Sequence, residues 1–85
     1  MDNSIDDLIL RLTAERGGEK SICPSEVARL LGDPWQRHMT SVRQTAFRLA
    51  REGRIEVLRK GRKVENLDEV RGVIRLRIAP GAADT

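Results

Sequence analysis

Apolar residues recur at helical spacing in three stretches of the chain and at alternating spacing in two more. Ile5, Leu8, Ile9 and Leu12 fall on one helical face behind Ser4, whose pairing with Asp7 has the form of an acidic capping box, and Gly17 and Gly18 stop the pattern; a helix is predicted from about Ser4 to Arg16. Val27, Leu30 and Leu31 form a second stripe after Pro24, a residue pre-set for the first helical position, and Glu26 suits the positive end of the dipole, predicting a helix from about Pro24 to Leu31. Gly32 closes it, and Asp33-Pro34-Trp35-Gln36 offers a new N-cap and a first-turn proline. Met39, Val42, Ala46, Leu49 and Ala50 then predict a helix from about Met39 to Glu52, after a short helical turn at Pro34 to His38, with Gly53 ending it.

Beyond Gly53 the period changes to two. Ile55 and Val57 alternate with Glu56 and Leu58, and Ile74, Leu76 and Ile78 alternate with Arg75 and Arg77, predicting two antiparallel strands. The connection from Gly61 to Gly72 is too long for a tight turn, so the strands are expected to run partway along it and end in a mobile polar tip near Asn66 to Glu69. Ser21 to Cys23 allows a short extra strand before the second helix. The order is helix, helix, helix, strand, strand, which defines the fold class as α+β, mainly α: a winged helix-turn-helix of three helices followed by a two-stranded antiparallel wing. Residues 1–79 form the one domain, and residues 80–85 are expected to be a disordered tail.

Size and composition sharpen this. In 85 residues there is room for one core; with 39% apolar content and Phe47 and Trp35 as the only aromatic residues, that core must be aliphatic. So small a core is marginal in stability, which makes a homodimer a reasonable partner state and leaves little space for an internal effector cavity. The single Cys23 cannot form an internal disulfide, no signal peptide is legible at the N-terminus, and no apolar run approaches a membrane span. These features place the chain in a reducing cytoplasm, away from membranes.

Catalytic chemistry finds little support. Cys23 has no second cysteine, and His38 is the sole histidine, so no metal set can be assembled from them. Ser25 and Glu26 are explained by a helix start, no phosphate-cradling glycine loop is present, and no cofactor fingerprint appears. Trp35 is read as a plug between helices and Cys23 as a packed thiol. The expectation is a domain without enzymatic activity, cofactor or metal.

Charge carries the functional signal. Residues 1–36 hold 4 basic and 7 acidic side chains, residues 37–63 hold 9 and 2, and residues 64–85 hold 3 and 4, so the net +3 conceals a strongly cationic middle segment. Along the third helix, helical steps collect Arg37, Ser41, Gln44, Arg48 and Arg51 on an outer stripe whose members suit groove reading, since arginine can bridge guanine acceptors and glutamine can pair with adenine. Arg54, Arg59, Lys60, Arg62 and Lys63 follow on the first wing strand or its extension, where phosphate contact needs flexible cations, and Arg75 and Arg77 can add to the same sheet face. The reading is a nucleic-acid-binding domain with duplex DNA as partner and transcriptional regulation as its use. Two alternatives stay open: a protein-interaction or dimerisation module, and a binder of structured RNA, whose deep major groove would exclude the helix.

From Ile22 to Arg77 the chain also resembles a bacterial family of short winged-helix proteins known as a domain of unknown function. The resemblance rests on Ile22-Cys23-Pro24-Ser25-Glu26-Val27-Ala28-Arg29, Trp35 with Met39, Val42-Arg43, Ala46, Leu49-Ala50, Gly53-Arg54-Ile55, and Gly72 with Ile74-Arg75-Leu76-Arg77. Gln36 and Thr40 depart from it, standing where arginine and proline are expected. The resemblance implies the fold and adds little about a ligand.

Overall fold

The computed structural model describes residues 4–81. Three α-helices, α1 (Ser4–Arg16), α2 (Pro24–Leu31) and α3 (Met39–Arg51), precede a three-stranded antiparallel sheet of β1 (Ile55–Arg59), β2 (Arg62–Lys63) and β3 (Arg75–Ile78), in spatial order β2-β1-β3. A 3-10 turn, Trp35–His38, separates α2 from α3. Ile22, in the α1–α2 connection, exchanges both backbone hydrogen bonds with Leu76 at 2.8 Å, so β3 lies between β1 and this single strand-like residue. Helix, strand-like bridge, two helices and three antiparallel strands give the α+β, mainly α architecture that the chain's periodicity predicts, consistent with a winged helix-turn-helix, with the short β2 added to the two strands expected.

The core explains why each element settles where it does. Ile9 of α1, Val27 and Ala28 of α2, and Val42, Ala46 and Leu49 of α3 converge with Ile22, Ile55, Val57, Ile74 and Leu76 into one buried cluster. The alternation in β1 and β3 sends Val57 and Leu76, register partners, to that cluster, and places Glu56 opposite Arg77 on the outer face. Thr13 is the buried polar exception among the described residues; its hydroxyl donates to the Ile9 carbonyl at 2.7 Å, so its burial strands no polar atom. The side chain of Ser4, and with it the expected capping box, lies outside the described residues, as do residues 82–85 of the expected tail.

The start of α2 is built by Glu26. Its carboxylate accepts the Cys23 N–H at 2.8 Å and the Arg16 guanidinium at 2.6 Å, while Arg16 also donates to the Ser21 carbonyl at 2.8 Å. The end of α1 is thereby clamped to the start of α2. Burial alone pushes the Glu26 carboxyl up, but the hydrogen bonds from Cys23 and Arg16 and the charges of Arg16 and Arg75 together outweigh it and hold the group below the usual carboxylate value.

Two local readings need correction. Pro34 is the cap of the 3-10 turn, with ψ of 127°, and not its first helical residue, so Asp33 does not act as the cap. More consequentially, the connection after β1 does not end in a polar tip at Asn66 to Glu69. The chain reverses at Lys60-Gly61 instead, pairing Arg59 with Arg62 and Leu58 with Lys63. Lys60 and Gly61 have φ of 54° and 80°, the two positive values that a two-residue turn of type I′ requires. The stretch that follows carries Val64, Leu67 and Val70, and all three pack partly buried against the core cluster. Their apolar area tethers a segment whose composition otherwise reads as loop.

Candidate nucleic-acid interface

Helix α3 turns Val42, Ala46 and Leu49 inward, which leaves Ser41, Gln44, Arg48 and Arg51 on the other side; Arg37 is exposed one turn earlier, in the 3-10 segment. The stripe is therefore on the surface as a unit, but its electrostatics divide at the middle of the helix. Arg37 has no carboxylate within ion-pair distance among the described residues. Further along, Arg48 grips both oxygens of Asp6 in α1 at 2.7 and 2.6 Å and reaches Glu52 at 3.2 Å. Hydrogen bonding to Asp6 raises the Arg48 pKa beyond its already high value, so the residue is a fixed cation with its charge spent locally. Arg51 meets Asp68 at 2.7 Å. The face open to a polyanion is thus the N-terminal half of α3, with Ser41 and Gln44, together with Arg37 in the 3-10 turn before it.

These two neutralised arginines differ in availability. The side chain of Asp6 is only 18% exposed, whereas that of Asp68 is 82% exposed. An ion pair as open as Arg51–Asp68 is weak in water and exchanges with a competing phosphate at little cost.

The second set of candidates clusters at the β1–β2 hairpin. Arg59, Lys60, Arg62 and Lys63 occupy four of the five positions from 59 to 63, with Arg59 and Arg62 directly opposed. Like charges placed across a ladder repel, and of these four, among the described residues, only Lys63 has a carboxylate nearby, Glu56 at 3.8 Å. Glu56 is itself claimed by Arg77 across the sheet. Arg54, in the turn between α3 and β1, lies 3.9 Å from Glu52. Of the sequence-predicted residues, Ser41 and Gln44 lie at the open end of α3 with Arg37 in the 3-10 turn that precedes it, and Arg59, Lys60 and Arg62 share the hairpin; Arg48, Arg51, Arg54 and Lys63 lie beside carboxylates.

Arg43, absent from the helical stripe, joins the two sets. Its guanidinium donates to the Gly72 carbonyl at 3.2 Å and stacks 5.5 Å from the Phe47 ring centre. Gly72 in turn sits against Arg59, whose guanidinium donates to the next carbonyl, that of Val73, at 3.3 Å. An α3 arginine and a hairpin arginine thus meet the same two-residue backbone segment. Arg75 is anchored close by on Ser21, to its hydroxyl at 2.7 Å and its carbonyl at 2.9 Å. Arg43 lies in the cationic run of the sequence, but its position beside the apolar stripe hid it; its membership depends on a wing contact 29 residues away.

Trp35 and Cys23, two residues with other chemical potential, are partly buried. Trp35 is half-buried under the Arg29 guanidinium, 4.9 Å from its ring centre. The Cys23 sulfur accepts the Ser25 hydroxyl at 3.0 Å. Among the described residues no group of three histidine, cysteine or carboxylate side chains gathers as a metal site, and no helix is long and apolar enough to cross a membrane.

No curated protein is significantly similar to the chain. A family model described as "Protein of unknown function (DUF3253)" matches residues 2–79, which takes in the whole α1-to-β3 fold and the surface just described. The chain therefore belongs to the DUF3253 family.

Proposed function

We propose that this domain binds duplex nucleic acid, with DNA as the bound partner and the open half of α3 as the groove-facing element. The observation that carries the proposal is the hairpin from Arg59 to Lys63. Four cations are held together on a tight turn, with Arg59 facing Arg62, at a cost in mutual repulsion that a polyphosphate backbone would offset. Lys60 also sits in a left-handed conformation that non-glycine residues disfavour, so the tip is doubly strained in the free protein.

In this reading the labour is divided by geometry. Arg37, Ser41 and Gln44 approach base edges, because the first turns of a recognition helix are the part that enters the major groove. Lys60 and Arg62, both exposed, hold the backbone beside the helix. A regulatory role in transcription fits such a module. Arg37→Gln and Gln44→Ala test the helix: each is expected to weaken binding of a preferred duplex by about 1 to 3 kcal/mol, read by fluorescence anisotropy, while binding to random duplex falls less. Equal effects on both duplexes would remove α3 from base reading. A duplex RNA of the same length is expected to bind more weakly, since its major groove does not admit a helix.

A further inference from the structure

A groove opens at the end of the sheet, where β1 and the chain leading into β3 part company. Leu58 and Arg75 are the last register partners; beyond them β1 bends into its hairpin with β2, while Gly72 and Val73 diverge. The groove has a volume of about 520 Å³, and its lining includes the apolar Leu58 and Val73 and the cationic Arg59, Lys60 and Arg75. Among the described residues, none that lines it is acidic. A second hollow of about 390 Å³ adjoins it across Gly72 and Val73, with Trp35 and Met39 among its walls and Arg43 as the only charged residue among those described there.

The arginines here differ from those elsewhere on the molecule in what holds them. Arg16, Arg48, Arg51 and Arg77 rest on carboxylates, which cancel their charge. Arg43, Arg59 and Arg75 are instead positioned by neutral acceptors, the carbonyls of Gly72, Val73 and Ser21 and the Ser21 hydroxyl. None of the three has a carboxylate within ion-pair distance among the described residues. Glu26 is within electrostatic reach of Arg75, but its oxygens are taken by Arg16 and the Cys23 N–H. Gly72 is part of the same construction: its φ of 81° favours glycine, and a Cβ there would lie 2.5 Å from the Arg59 Nη1, so a side chain would push the guanidinium aside. Val73, 78% exposed, presents an apolar surface at the seam between the two hollows.

We propose that this groove binds a small organic phosphate monoester, with the phosphate met by Arg59, Lys60 and Arg75 and the organic body laid over Leu58 and Val73. Three cationic groups arriving from β1, the hairpin turn and β3 match the several oxygens of a tetrahedral dianion better than the two coplanar oxygens of a carboxylate. The volume is in the range that small ligands occupy, and hydrogen bonds to Val73 and Ser21 already orient the Arg59 and Arg75 guanidiniums, which lowers the ordering cost of binding. Arg43 adds positive potential from across Gly72. The proposal does not depend on nucleic-acid binding, and its test contains no nucleic acid.

The test is a titration of the intact chain with phenyl phosphate, followed by backbone amide chemical shifts. Saturable shifts are expected at Gly61, Gly72 and Val73, with inorganic phosphate and benzoate each binding about tenfold more weakly because one lacks the body and the other the third oxygen. Lys60→Gln and Arg59→Gln are each expected to weaken phenyl phosphate about tenfold, and Arg11→Gln, on the outer side of α1, to leave it unchanged. Gly72→Ala is expected to weaken it without removing any charge, by displacing Arg59; should that variant not fold, Lys60→Gln, on an exposed turn, decides the matter. Inorganic phosphate binding as tightly as phenyl phosphate, Arg11→Gln weakening binding as much as Lys60→Gln, or no saturable shift at these amides would each overturn the proposal.

Discussion

At the scale of single residues, the decisive question is which cations keep their charge available. Arg48 and Arg51 lie on the outer stripe of α3, where periodicity places them, yet each has a carboxylate partner from a distant part of the chain: Asp6, 42 residues away, and Asp68, 17 residues away. Helical spacing reveals which face a residue occupies and nothing about what folds over it. The same limit hid Arg43, whose partner Gly72 is known only once the wing is placed. Asp6→Asn releases Arg48 from its closest partner while leaving the cation in place. Duplex DNA affinity is expected to rise severalfold in this variant, measured by anisotropy at moderate salt, with a small drop in the thermal midpoint. Unchanged affinity would mean that Arg48 does not face the nucleic acid.

At the scale of elements, α1, α2, α3, β1 and β3 were legible because each is long enough to show its period and is bounded by glycine or proline. The β1–β2 hairpin escaped that kind of reading. Strand β2 is two residues long, too short for alternation, and its turn carries lysine at a position where asparagine or aspartate is the familiar signal. That lysine separates stability from function. Lys60→Asn suits the left-handed conformation and removes a charge, so the domain is expected to gain a few tenths of a kcal/mol in chemical denaturation while its affinity for duplex DNA falls. Stability and affinity moving together would contradict the assignment of the tip.

The start of α2 yields a second expectation at this scale. The Glu26 carboxyl is held below its usual value in the folded chain, so the folded state binds its proton less readily than the unfolded one. Its contribution is therefore complete above the ordinary carboxylate range and is lost as pH falls through the lowered folded value. Glu26→Gln keeps an oxygen for the Cys23 N–H but loses the charge that pairs with Arg16, so it is expected to cost up to about 1 kcal/mol at neutral pH and to flatten the acid limb of the stability profile. An unaltered acid limb would show that the clamp between α1 and α2 contributes nothing.

At the scale of the whole molecule, the fold sorts a nearly balanced set of charges into territories. The acidic groups of α1 and of the 64–70 segment neutralise the C-terminal half of α3, and the hairpin, Arg43 and Arg75 are left as a cationic surface around Gly72 and Val73. The surplus of basic residues from 37 to 63 was plain in the sequence; its division into a cancelled and an available part is a product of tertiary structure. Polyanion binding by the available part is measured most directly by the salt dependence of duplex DNA affinity, in the native chain and in a variant carrying Lys60→Gln and Arg62→Gln. The native protein is expected to lose affinity linearly on a log–log plot against salt, and the variant to bind more weakly with a slope shallower by about 2, roughly one unit for each phosphate that is no longer neutralised. Identical slopes, or an affinity that ignores salt, would contradict a nucleic-acid role for this surface.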